Sequence, residues 1–155
     1  MITSFYFSYS GIYRKYIDTF SKYVDMEHTY YFDGDQKKIS WVIENSRSRS
    51  EESRIHAEYF YDIVTIEQSK YIALHVGIFW SIGRFIIKNG DMVKIMLDQK
   101  SMFDRLVKNR STDDMFIERR IKFIEQIISQ RDLDARYQII DHLENKASKL
   151  LLSNN

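Results

Sequence analysis

The stretch that most constrains what this chain can fold into is Tyr71 to Lys88, YIALHVGIFWSIGRFIIK, its longest apolar run. At helical spacing Ile72, Val76, Phe79 and Ile86 fall on one side, with Leu74, Ile78, Ile82 and Phe85 beside them. A helix that is apolar nearly all round is either buried at the centre of a domain or spans a membrane. This run holds His75 and Arg84, is bracketed by Lys70 and Lys88, and is eighteen residues long. A span needs about twenty mostly apolar residues, so the spacing predicts a buried central helix and no membrane segment.

Ala73, Gly77 and Ser81 recur at every fourth position and form one line of small residues, along which another backbone can come close. Gly77 costs about 1 kcal/mol relative to Ala in a helix interior, so its missing side chain should serve a contact. Close packing within the chain and a helix from a second subunit both fit. Trp80 and Arg84 are four apart and can stack as a cation-π pair at an interface.

One hundred and fifty-five residues suit one domain with a sizeable core. Cysteine is absent, which removes thiol catalysis, disulfides and every Cys-containing zinc site. The first ten residues, MITSFYFSYS, lack the basic and apolar regions of a signal peptide, so a cytoplasmic address is the expectation. With 23 basic and 22 acidic side chains there is no electrostatic footprint for nucleic acid. Only residues 89 to 111 lean basic, by five to three. On this ground a nucleic-acid partner is not favoured.

Proline is also absent, which fits long helices. Eleven of the 23 aromatic residues lie in the first 33 positions, in a segment of net negative charge, so an aromatic core or interface is preferred to a base-stacking platform. Ile2 to Tyr9 alternates like a strand, and Tyr13, Tyr16, Ile17, Phe20, Tyr23 and Val24 form the stripe of an amphipathic helix. Tyr13, Tyr16 and Phe20 join Ala73, Gly77, Ser81, Trp80 and Arg84 as candidate interface residues.

Thr29 to Phe32, Asp33-Gly34-Asp35 and the alternating Lys38 to Glu44 read as a hairpin with an Asp-Gly turn. A short helix capped by Asp35 fits the same letters. Residues 45 to 53, NSRSRSEES, contain nothing apolar and mark a polar linker between residues 1–44 and a helical core at 54–152. Ser48 with Glu51 has the spacing of a capping box, so a helix is expected there. After Asn89-Gly90, a left-handed stop, short helices are expected around Met92 to Leu97 and Met102 to Val107, and a longer one after Ser111 to Asp114. Leu133, Ile140 and Ala147 are seven apart, as are Leu143 and Leu150, and Ile117, Ile124 and Ile121, Ile128 behave alike. Two such helices joined at Gln130 to Asp132 form an antiparallel αα-hairpin.

No His has a Glu three residues before it, the spacing of a helical di-metal site, so no metal or cofactor is expected. No glycine-rich phosphate loop and no Gly-x-Ser-x-Gly elbow is present. His75 reads as a hydrogen-bonded core imidazole. Arg136-Tyr-Gln-Ile-Ile-Asp-His142 resembles the Arg and His spacing of the HEPN ribonucleases, helical proteins in which that pair faces RNA across a dimer. The resemblance covers seven residues, Arg49 to His56 also falls within that family's spacing of four to six intervening residues, and Tyr137 stands where that family usually has a small polar residue.

The chain is thus expected to be a single domain, 1–155, mainly α: a helical bundle around a central helix with a carboxy-terminal αα-hairpin. An α+β fold with a small amino-terminal hairpin is the alternative. The expected function is a non-catalytic helical interaction or assembly module that works as a homodimer. A HEPN-like ribonuclease using Arg136 and His142 is the alternative, and a ligand-binding helical bundle comes third.

Overall fold

The computed structural model describes residues 26–153. Its centre is a five-stranded mixed sheet in the order β3-β2-β1-β4-β5. The strands are β1 (Glu27–Gly34), β2 (Lys38–Glu44), β3 (Arg49–Ile55), β4 (Met92–Leu97) and β5 (Asp134–Ile139). β1, β2 and β3 pair antiparallel, while β1 with β4 and β4 with β5 pair parallel. Four helices accompany them among the described residues: α1 (Ile66–Gly83), α2 (Lys100–Leu106), α3 (Met115–Gln130) and α4 (Lys146–Ser153). The mainly helical bundle expected from the sequence is therefore corrected to an α+β fold. None of these helices is long and apolar enough to cross a membrane.

The hairpin reading of residues 29 to 44 is the one that forms. Tyr30 and Phe32 on β1 and Ile39, Trp41 and Ile43 on β2 enter one core, each strand using every second residue as a pleated strand must. Gly34 belongs to β1 and pairs with Ile39, so the turn lies one step later. There Asp35 Oδ1 accepts from the backbone N–H of Lys37 and Lys38 at 2.7 Å each. A Cβ on Gly34 would come 2.3 Å from Ser69 Oγ and 2.8 Å from the Ser69 backbone, so glycine is required by the close approach of α1.

The expected polar linker at 45–53 is instead a turn followed by an edge strand. Asn45 N–H donates to Ser48 O at 2.9 Å, and Asn45 Oδ1 accepts from the N–H of Arg47 and Ser48. No helix starts at Ser48. β3 needs no apolar face because it pairs only with β2, and its charges suit an edge. Arg49–Glu51 and Arg54–Glu52 ion pairs run along it.

The central helix begins earlier than its apolar run. Thr65 caps it, accepting from Gln68 N–H at 3.0 Å while Gln68 Oε1 accepts from Thr65 N–H, a reciprocal capping box. The helix is not buried all round. Lys70, Ala73, Leu74, Gly77, Ile78 and Ser81 lie on the covered face, whereas Phe79 is 64% exposed. The chain then turns at Phe85, which takes a φ of 60°.

Two expected helices are strands. Met92 to Leu97 is β4, with Val93, Ile95 and Leu97 in the core; a short apolar run suits either period, and pairing between β1 and β5 decides it. The αα-hairpin does not form either. α3 is capped by Asp114 and buries Ile117, Ile121 and Ile124, but Leu133 then precedes β5, Ile140 follows it, and Ala147 lies in α4. Their seven-residue spacing spans three different elements. α1 packs on β1, β2 and α3, while α4 packs on β1, β2 and β3. Ser40 on β2 donates from Oγ to Ala147 O of α4 at 2.7 Å.

Candidate functional site

Parallel pairing of β1 and β4 brings their carboxyl ends side by side, and each end delivers an aspartate. Asp33 is the next-to-last residue of β1, and Asp98 directly follows β4. In open α/β sheets this is where ligands bind. Between the two carboxylates stands Lys70 from the second turn of α1, 5% exposed. Its Nζ lies 2.9 Å from Asp33 Oδ1 and 3.0 Å from Asp98 Oδ1.

The remaining oxygens are also engaged. Ser148 of α4 donates from Oγ to Asp33 Oδ2 at 2.5 Å, and Gly34 N–H donates to Asp33 Oδ1 at 2.8 Å. Asp98 Oδ2 accepts from His142 Nδ1 at 2.8 Å and from Asn145 Nδ2 at 2.9 Å. Asn145 also donates to Phe32 O, and its Oδ1 accepts from Ala147 N–H, so one side chain ties the start of α4 to both strands. His142 sits in a 3-10 turn, His142–Glu144, held by a capping box from Asp141, and its side chain is 60% exposed.

Two carboxylates and one ammonium leave the cluster a formal charge of −1 with His142 neutral. Burial opposes charge on Lys70, but its hydrogen bond to Asp33 and the charges of Asp33 and Asp98 outweigh it and raise its pKa. Burial likewise disfavours the Asp98 carboxylate. Hydrogen bonds from Asn145 and His142 and the Lys70 charge override this and hold its pKa below the ordinary value. Lys70 and Asp98 are therefore charged at neutral pH.

Clustered carboxylates are the usual ligands of hard divalent ions. Asp33, Asp98 and His142 each offer a ligand atom, all within 4.8 Å of one another. Yet every carboxylate oxygen already accepts from a protein donor, and the space between Asp33 and Asp98 holds an ammonium. The site as built does not fit a metal ion.

The residues singled out from the sequence lie elsewhere, with one exception. His142 belongs to the cluster, but Arg136 is exposed on β5 and pairs with Asp134 at 3.0 Å. Arg49 and His56 are likewise apart: Arg49 pairs with Glu51, and His56 Nε2 lies 2.8 Å from Ser69 Oγ. The small-residue line packs inside the chain. Tyr30 donates from its hydroxyl to Ala73 O at 2.7 Å, and a Cβ on Gly77 would meet that hydroxyl at 1.9 Å and Trp41 Cγ at 2.7 Å. Ser81 donates to Gly77 O. Trp80 meets Trp41 edge-on at 5.6 Å, and Arg84 lies over the Trp80 ring at 5.3 Å. Tyr13, Tyr16 and Phe20 lie outside the described residues. His75 is half-buried, stacked on Phe123 and 2.8 Å from Arg120 Nη1; burial first, and the Arg120 charge second, lower its pKa to about 4.

Asp33, Lys70, Asp98, Asn145 and Ser148 were not singled out by the sequence reading. Asp33 reads as a turn residue and Lys70 as the flank of an apolar run. The available signal was position: Asp98 directly follows a short apolar run that can be a buried strand.

The class these features define is an open mixed α/β sheet with a charged site at the carboxyl ends of adjacent parallel strands. Comparison with solved structures identifies the fold as that of ribonuclease H. RNase H1 of the halophilic archaeon Halobacterium salinarum superposes with a TM-score of 0.63 at 16% identity, covering 80% of this chain and 93% of that one. LC11-RNase H1, isolated from compost by a metagenomic approach, gives 0.66 at 15%, covering 84% and 94%. The same enzyme in complex with an RNA/DNA hybrid gives 0.61 at 14%, covering 83% and 95%. No protein-family model matches the chain, and no curated protein matches it in sequence.

These findings overturn the helical assembly module, the HEPN-like ribonuclease and the ligand-binding bundle, all of which need a helical fold. They also correct the expectation that a nucleic-acid partner is not favoured, since one neighbour is solved with an RNA/DNA hybrid. The charge sum weights buried and exposed acids equally. Within residues 89 to 111, Asp91, Asp98 and Asp104 are turned inward, while Lys100, Lys108 and Arg110 are exposed. The homodimer rested on surplus apolar faces, and among the described residues the small-residue line is covered by β1 and β2.

Proposed function

We propose that this chain is a nucleic-acid-binding domain that uses the RNase H fold to take an RNA/DNA hybrid against the pole at the carboxyl ends of β1 and β4. The observation that carries this reading is the convergence there of Asp33, Lys70, Asp98 and His142, from four separate segments, on one charged cluster. Burying charge costs several kcal/mol per ion before pairing offsets it. A core built for stability alone gains little from such an arrangement.

The segment that follows β4 carries basic side chains that a polyanion could use: Lys100 lies two residues beyond Asp98, and past the far end of α2 Lys108 and Arg110, paired with Asp104, are 58% and 71% exposed. Lys70 cancels one of the two carboxylate charges that would otherwise repel a phosphate. The hybrid is the duplex supported first, because an RNase H1 of the same fold is solved with one.

Fluorescence anisotropy with a labelled RNA/DNA hybrid, the matching DNA and RNA duplexes and the single strands tests this. Binding should favour the hybrid and weaken steeply with salt as counterion release requires, and Lys108→Ala with Arg110→Ala should weaken it several-fold. Absence of binding to every duplex at low salt sinks the reading. Release of fragments from the RNA strand in Mg2+ or Mn2+ would replace it with a nuclease.

A further inference from the structure

We infer that the Lys70 ammonium is a built-in replacement for a metal ion in this pocket, so that Asp33 and Asp98 meet a nucleic-acid backbone without any divalent cation. The inference rests on the reading of the pocket as the nucleic-acid-facing site, but its core claim concerns the cation alone.

Geometry makes the case. A divalent ion shared by two carboxylates must sit between them, and that position belongs to Nζ, 2.9 Å from one carboxylate and 3.0 Å from the other. Lys70 cannot easily swing aside, since its side chain is 6% exposed and α1 is held against β1 at Gly34. The outer oxygens offer no second place, because Ser148, His142 and Asn145 already donate to them. Mg2+ in particular demands near-octahedral oxygen coordination at about 2.0–2.1 Å and retains several waters, for which this packed cluster leaves no room. The ammonium does what a cation would do electrostatically. It brings two buried carboxylates together and halves their charge. It cannot do what a metal does chemically, for it has no open coordination position to hold or activate a water.

Lys70→Glu turns a cluster of formal charge −1 into one of −3 with three carboxylates, the chemistry that hard divalent ions prefer. Mn2+ titrations followed by electron paramagnetic resonance, with no nucleic acid present, should show no saturable binding to the parent chain at millimolar Mn2+ and a saturable site in Lys70→Glu. Melting temperature should follow: unmoved by Mn2+ in the parent, raised in the variant. Saturable binding to the parent that Asp33→Asn abolishes overturns the inference. So does a folded Lys70→Glu that takes up no Mn2+, because something other than Lys70 would then exclude the ion. Should Lys70→Glu fail to fold, Lys70→Met serves in its place with the same two outcomes. Because hybrid binding is measured separately, loss of that binding with the metal result intact removes the proposed function and leaves the cation substitution standing.

Discussion

The two ends of the β1 and β4 pair carry buried charged groups of opposite design. At the amino end, Asp91 precedes β4 and lies 2.8 Å from His28 Nε2 of β1, with both side chains essentially inaccessible. Asp91 also accepts from the backbone N–H of Met26 and Lys88, each at 2.9 Å. That carboxylate binds chain to chain; it closes the end of the sheet. At the carboxyl end, Asp33 and Asp98 are held mainly by side chains, and His142 there reaches solvent. A buried acid that caps backbone groups is part of the fold's wiring. One held by side chains from several elements can be re-equipped by substitution, and it is there that the proposed ligand would bind.

The largest effect should fall at the amino end. Asp91→Ala leaves the part-buried N–H groups of Met26 and Lys88 and the buried His28 ring without their partner and should cost about 3–5 kcal/mol in urea unfolding, at about 1–3 kcal/mol for each polar group left unpaired, with hybrid affinity of the folded protein unchanged. Lys70→Met at the other end should cost about 3 kcal/mol, because two carboxylates are left facing each other, and excess Mn2+ should restore part of it. No ion should rescue Asp91→Ala, and such a rescue would erase the contrast. Ser148→Ala removes one hydrogen bond to a charged acceptor and should cost about 1.5–3 kcal/mol. His142→Ala, at the exposed rim, should cost under about 1 kcal/mol yet weaken hybrid binding.

An acid titration sharpens the comparison from outside both ends. His75 is neutral in the fold down to about pH 4, whereas in the unfolded chain it protonates near its ordinary pKa of 6.5. The unfolded state therefore binds more protons between those values, and stability should fall as pH drops from about 6.5 towards 4. His75→Phe should remove that slope in thermal melts taken across the range. Asp98 acts only below its ordinary carboxyl range, since its folded pKa is lowered, and stability from it is lost as pH falls through that lowered value. The Lys70 contribution persists until pH rises past 10.5, because its folded pKa is raised above that value. The Lys70–Asp98 pair should thus stay intact through the window in which His75 titrates.

How far the sequence foretold this differs by element. The core face of the Tyr71 run and the helix start at Ser111 to Asp114 were legible, and the β1–β2 hairpin was one of two readings the letters allowed, because alternation, helical period and capping residues are local signals. β4 and β5 were not, since a six-residue segment becomes a strand only by pairing with partners far along the chain, Glu27 to Tyr30 for β4 and β4 in turn for β5. β3 was hidden by its own polarity. The site shared the fate of its strands: Asp33 and Asp98 are 65 positions apart, and only the parallel crossover through α1 makes them neighbours. Without that crossover Lys70 reads as a solubilising flank.

The glycine at 77 sets more than the depth of α1. Lys70 lies seven residues before it, two turns along the same buried face. The missing side chain lets the helix rest on Tyr30 and Trp41, and resting there fixes its roll about its own axis. A lever so seated transmits angle: a methyl group at 77 would tilt or rotate the rod, and the ammonium at its far end would drift from the midpoint of the two carboxylates. The charge balance of the pocket is thus set about 10 Å away, given the 1.5 Å rise per residue of a helix, by an atom that is not there.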